Sequence, residues 1–308
     1  MLESLTDPFA FQFMRHALYA GVLTVVAASL VGTWVVMRGM AFMGDAMAHG
    51  VLPGIAIAFL LGGDLMVGAA ISAVVMIGGV SLVSARSRLG EDTAIGLLFV
   101  GMLAAGVAII SARGAYAGDL TTILFGDPIG VTTADLRRVA LAGGIALVAT
   151  LLLYRSFLVL TFSRAKAAVL GLRPGLTHLV MLGLIALVVV SSFRTVGTLL
   201  VFAFIVAPPA TAALVSKRVP VMIGVSILIG SLMVVAGLLI SFHYATATAA
   251  TIAVLTVLAF FTVLAAKEGA ASVRRLLSHR GGGDGVGGAA QAQSAQVPTN
   301  SSRWESTR

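Results

Sequence analysis

Nine long apolar stretches alternate along the chain with short polar connections, at about 16–37, 40–61, 65–85, 93–112, 137–154, 177–194, 195–215, 219–242 and 244–266. The apolar positions form near-continuous runs rather than a stripe at helical period, as expected for helices surrounded by lipid and by one another. A hydrocarbon core of about 30 Å takes roughly 20 helical residues to cross, and fewer where tilt and neighbours help. The pattern therefore predicts an all-α, polytopic membrane protein with about nine (eight to ten) transmembrane helices. It divides the chain into an N-terminal segment 1–15, a transmembrane region 16–266 and a tail 267–308.

Composition agrees with the pattern. With 59% hydrophobic and 10% charged residues, and a mean hydropathy of +1.06, a soluble globular domain is excluded. The net charge of +8 reads as topology. Basic residues are scattered singly between apolar runs, so a nucleic-acid partner is not expected, and the lipid bilayer is. Short cytoplasmic loops retain Lys and Arg. With the C-terminus cytoplasmic, thirteen basic residues fall inside, from Arg38 to Arg280, against five outside: Arg15, Arg113, Arg137, Arg138 and Arg194. An odd number of spans then puts residues 1–15 outside the cell, where Asp64, Asp119, Asp127 and Asp135 make an acidic face. The absence of cysteine excludes thiolate metal sites and disulfides. No cleavable signal is expected, because Glu3 and Asp7 precede the first run and that run is long for a signal core.

The connections carry their own signals. Phe125-Gly126-Asp127-Pro128 sits in the longest outer connection; Asp127 and Pro128 read either as a plain turn or as a docking point for an external partner. In the longest inner connection, Ala165 to Gly171 reads as a short helix stopped by Gly171, either a bare surface helix or a docking element. Pro208 and Pro209 lie inside the seventh span, where missing backbone donors should break the helix, as a hinge or as a static kink. Thirty-five glycines suit close helix packing in lipid. Beyond Gly281 the sequence is Gly-, Ala-, Gln- and Ser-rich and is expected to be disordered. His16, His178 and His279 offer no ligand pattern, while His243 closes the eighth span at the acidic face and is a weak metal candidate.

The chemistry concentrates in the second span. Asp45 is the one acid in any membrane-depth segment, and His49 follows it by four residues. At about 100° per residue the two side chains share one helix face, one turn apart. Together they can grip a cation, and an oxygen-plus-imidazole set suits zinc, manganese or iron(II). An ionisable pair at this depth is costly and is read as functional by default; the plainer alternative is a packing contact in which each neutralises the other. Arg38, two turns earlier, is a further counter-ion candidate. Gly44, Gly50, Pro53 and Gly54 should make this helix irregular.

Energy supply separates the transporter classes. A phosphate-binding loop ends in Gly-Lys-Ser/Thr, and none of the three lysines, Lys166, Lys217 and Lys267, follows a glycine. The chain is therefore not expected to hydrolyse nucleotide, and its energy should come from a partner subunit. A proton-coupled transporter working alone is the alternative, although such exporters generally use several intramembrane acids. A non-transporting scaffold is a third reading.

At these residues the chain resembles the membrane permease subunits of bacterial ATP-binding-cassette importers for zinc, manganese or iron, over about residues 8–267. The resemblance rests first on Arg38-Gly39-Met40-Ala41-Phe42-Met43-Gly44-Asp45-Ala46-Met47-Ala48-His49-Gly50-Val51-Leu52-Pro53-Gly54. Glu91-Asp92-Thr93-Ala94-Ile95-Gly96, Phe125-Gly126-Asp127, Leu170-Gly171-Leu172, and Pro208 with Ala210-Thr211-Ala212 add to it. It implies a type II importer-like fold, a homodimer of permeases on two cytoplasmic ATPases, and an extracytoplasmic metal-binding protein on the outer face. It further implies that Asp45 and His49 line the metal path, that Ala167, Ala168, Leu170 and Gly171 form the ATPase-coupling element, and that the metal is cargo, with no permanently bound cofactor. The chain departs from the family where an acid usually precedes the coupling element, here Ser163 and Ala165, and where Pro and Gly usually follow the eighth span, here Ala245 to Ala249.

Overall fold

The computed structural model describes residues 7–87, 90–111, 126 and 130–281, with no strand among them. A 3-10 turn at Asp7–Ala10 leads into α1 (Gln12–Met37). The second span is two pieces, α2 (Ala41–Gly50) and α3 (Leu52–Leu60), followed by α4 (Leu65–Arg86) and α5 (Glu91–Ser111). Next come α6 (Thr133–Leu152), α7 (Tyr154–Phe162), α8 (Arg164–Val169) and α9 (Pro174–Val196). Helices α10 (Thr198–Val215), α11 (Val219–Tyr244) and α12 (Thr248–Gly281) complete the described chain. Among the described residues eight helices are long and apolar enough to span a membrane, counting α2 and α3 as one span, and nine if the bent pair α6–α7 is another. Residues up to Val263 form one compact unit; the second unit, from Leu264, is described only as the remaining turns of α12. The Asp127–Pro128 turn, the first six residues and the tail after Gly281 lie outside the described residues.

Helix α1 is the centre of the first unit and packs against α6, α9, α10 and α11. Along their most apolar stretches α1 and α9 are each 72% buried, whereas α5 is 17% buried. Trp34 near the end of α1 is 1% exposed and anchors the α6–α7 corner, its ring 5.5 Å from those of both Tyr154 and Phe157. The corner turns the chain by 71°. The sequence pattern puts Arg155 at the start of a polar connection, but residues Tyr154–Phe162 are helical because Phe157 and Leu160 are buried along one side.

Pro208 and Pro209 do not break their helix, contrary to the sequence expectation: α10 runs uninterrupted from Thr198 to Val215. A proline deprives the carbonyl four residues earlier of its donor, which for Pro209 is the carbonyl of Ile205. That oxygen lies against Gly32 of α1, where a Cβ would overlap it. Both prolines are buried, and Thr211 Oγ1 donates to the Ala207 carbonyl at 2.7 Å. Packing against α1 thus holds the helix together through its two missing donors.

The second span is irregular, as its glycines and proline predict. Helices α2 and α3 meet at Val51. The Gly50 carbonyl at this joint accepts a 2.8 Å hydrogen bond from the buried hydroxyl of Ser72 on α4. Backbone groups released within a membrane helix persist where a neighbouring helix satisfies them, and α4 does so here.

Candidate metal site

Helix α2 places Asp45 and His49 on one face, one turn apart, with Asp45 Oδ1 at 3.5 Å from His49 Nε2. Their side chains are 26% and 24% exposed, so both are partly accessible. They open into a cleft of about 600 Å³ whose other walls come from α10 and α12, including Phe202, Val206, Val257 and Phe261. Close packing sets this geometry: a Cβ on Gly44 would press on Ile205 and Phe202 of α10 at 3.3 Å, so the glycine lets α10 approach α2 beside the carboxylate.

The spacing suits a shared ion. With metal–ligand bonds of about 2.1 Å to a carboxylate oxygen and an imidazole nitrogen, a 3.5 Å gap subtends an angle of about 110°, close to tetrahedral. Two protein ligands are an incomplete set for any of these metals. No group of three or more His, Asp, Glu or Cys side chains suited to a metal occurs among the described residues. The second imidazole nitrogen, Nδ1, is buried and has no hydrogen-bond partner among the described residues. Ligating histidines usually use that nitrogen to fix their orientation and to strengthen the ligand. Two ligands without that support would hold an ion weakly.

The other sequence candidates separate from this pair. Arg38, considered as a counter-ion for Asp45, directs one guanidinium nitrogen to Nδ1 of the buried His178 on α9 at 2.8 Å, with Met181 Sδ at 3.9 Å. His243 is bonded through Nδ1 to the Leu239 carbonyl of its own helix at 2.8 Å, and His16 through Nδ1 to the Val131 carbonyl at 3.1 Å. Val206 and Ala207, the two residues before Pro208, line the cleft.

The short helix expected near Ala165 is α8, begun by the Ser163 hydroxyl, which accepts from Lys166 N at 3.2 Å. Leu172 N donates to the Ala167 carbonyl and Gly171 N to the Ala168 carbonyl, each at 3.0 Å. These two bonds form a Schellman stop, whose left-handed position is Gly171 at φ +70°. Ala167 is buried, while Val169 and Leu170 are exposed.

Sequence reasoning missed the aromatic surroundings of the pair. Phe99 of α5 meets the His49 ring at 5.8 Å and the Phe42 ring at 5.2 Å, and Phe202 of α10 closes the cleft. Apolar residues within a run of apolar residues gave no cue, although Phe42 and His49 share a face at a spacing of seven.

A many-helix membrane bundle with a carboxylate–imidazole pair open to a cleft at its side is an architecture suited to a membrane transporter. The profile of the ABC 3 transport family matches residues 10–267, and the chain belongs to that family. It is 36% identical to the manganese transport system membrane protein MntC of Halalkalibacterium halodurans, over 82% of this chain and 88% of that one. It is also 36% identical to the chelated iron transport system membrane protein YfeD of Yersinia pestis, over 86% of this chain and 89% of that one. Among solved structures, PsaBC from Streptococcus pneumoniae in complex with Fab superposes with a TM-score of 0.76 at 30% identity, covering 85% of this chain and 95% of that one. A putative metal-chelate type ABC transporter in an inward-facing conformation shares the fold, with a TM-score of 0.58 at 15% identity over 79% of this chain and 84% of that one.

Proposed function

We propose that the chain is the permease subunit of an ATP-driven importer that carries zinc, manganese or iron as a divalent ion across the bacterial cytoplasmic (inner) membrane. The observation that carries this reading is the Asp45–His49 pair, 3.5 Å apart and open to the cleft between α2, α10 and α12. Membership of an ATP-binding-cassette transport family and relatives named for manganese and iron transport support it. They disfavour the proton-coupled transporter.

In this reading Asp45 and His49 take the ion transiently from the outer side and release it inward. An incomplete ligand set helps, because conduction needs binding weak enough to reverse. A second copy of the chain or water supplies the remaining ligands. A cytoplasmic ATPase binds α8 around Ala167, Ala168, Leu170 and Gly171, an extracytoplasmic metal-binding protein delivers the ion near Asp127 and Pro128, and the C-terminus is cytoplasmic. The α10 segment at Pro208 and Pro209 acts as the hinge beside the cleft.

The test is radioactive manganese and zinc uptake by cells carrying the complete transporter. Asp45→Ala and His49→Ala should each abolish uptake while the permease still co-purifies with its ATPase. Uptake at the wild-type rate in either variant refutes the assignment, and uptake by the reconstituted chain alone, driven by a pH gradient, would restore the proton-coupled reading.

A further inference from the structure

Among the described residues no polar group aims the His49 ring from behind: its Nε2 faces Asp45, while Nδ1 is buried and without a hydrogen-bond partner among them. A ligating imidazole is ordinarily oriented by a carboxylate, carbonyl or water on that second nitrogen. What meets this ring is Phe99 of α5, at 5.8 Å between ring centres and 69° between planes.

Phe99 is itself held. Phe42 lies seven residues before His49 on α2, so the two project from one side of the helix two turns apart. The Phe42 ring meets Phe99 at 5.2 Å and 73°, which makes Phe99 a wedge from α5 with a T-shaped contact to each. Both separations lie in the range at which edge-to-face pairs are favourable.

We propose that Phe99 is the positioning residue of the metal site, holding the His49 imidazole with Nε2 toward Asp45 in place of the missing hydrogen bond. The inference rests on Asp45 and His49 being the metal pair. An aromatic contact restricts rotation of the imidazole, yet it does not pull electron density toward Nε2 as a carboxylate on Nδ1 would. The ring is therefore aimed without becoming a stronger ligand, which suits a site that must let its ion go. A shorter aliphatic side chain leaves the ring free to turn Nε2 away from the carboxylate.

The experiment measures manganese(II) uptake against concentration in cells carrying the complete transporter. Phe99→Leu should raise KM roughly three- to tenfold, the orientation supplied by one such ring pair, with Vmax and the amount of permease in the membrane unchanged within about twofold. Phe99→Tyr, which keeps the ring, should restore KM. Phe42→Leu removes the far side of the wedge and should raise KM by about twofold, and it serves if Phe99→Leu fails to reach the membrane. A wild-type KM in both leucine variants overturns the proposal, as does a fall in Vmax alone or a tyrosine variant as impaired as the leucine one. His49→Ala keeps the two readings apart: full activity there removes the metal pair itself, whereas an inactive His49→Ala beside a normal Phe99→Leu removes only the positioning role.

Discussion

Gly54 of α3 and Gly68 of α4 meet backbone to backbone: a Cβ on either would overlap the carbonyl oxygen of the other. Four residues further along each helix stand Ala58 and Ser72, so the crossing is lined by small side chains at a spacing of four, the arrangement that brings helices together in lipid. The same crossing brings the Ser72 hydroxyl to the Gly50 carbonyl, one residue beyond His49. Packing of α3 on α4 and the placement of the Asp45–His49 pair are consequently linked.

Gly54→Val and Gly68→Val are expected to force this crossing apart at a cost of about 1–3 kcal/mol or more, the range for overpacking. Thermal unfolding of the purified permease in detergent measures it. Ser72→Ala should destabilise less, by about 1 kcal/mol for one buried hydrogen bond.

The 2.8 Å contact between Arg38 and His178 joins the end of α1 to the start of α9. His178→Ala removes a buried partner of a charged group, with an expected loss of about 1.5–3 kcal/mol. Arg38→Lys is not a rescue, because an ammonium lacks the planar fork of donors that also approaches Met181. Denaturation midpoints of the two variants should both fall.

At the end of α8, Gly171 occupies φ +70°, which a side chain with a Cβ disfavours by roughly 1–2 kcal/mol. Gly171→Ala should loosen the two-bond stop without unfolding the permease. The expected signature is more ATP hydrolysed per metal ion imported, read in proteoliposomes holding the complete transporter.

If α10 bends during transport at its paired prolines, restoring the two backbone donors stiffens it. The double substitution of Pro208→Ala and Pro209→Ala should slow uptake severalfold while raising thermal stability by up to about 3 kcal/mol per proline. Unchanged uptake would mark the prolines as static.

The spans and the shared face of Asp45 and His49 were legible in the sequence because crossing a bilayer demands an uncharged run of that length, and a spacing of four puts two side chains one turn apart on a helix. Gly171 was legible for a similar reason, since it follows a short helical pattern at the expected stop. Which spans are central was not. Lipid tails are as apolar as leucine, so α1 and α5 read alike although one is mostly buried and the other mostly not. The continuity of α10 through Pro208 and Pro209 was equally hidden, because it depends on Gly32 of another helix. Phe99 lies fifty residues from His49 and looked like any other apolar residue of its span.

Beside the Gly171 stop, the end of α8 carries Val169 at 88% exposed and Leu170 at 53%. If an ATPase covers them, a permease copy made in excess of its partner displays a bare apolar tip on the cytoplasmic side, the kind of surface that quality-control proteases and chaperones recognise. The six-residue helix would then act as an assembly checkpoint, tying the lifetime of each permease to the supply of its ATPase.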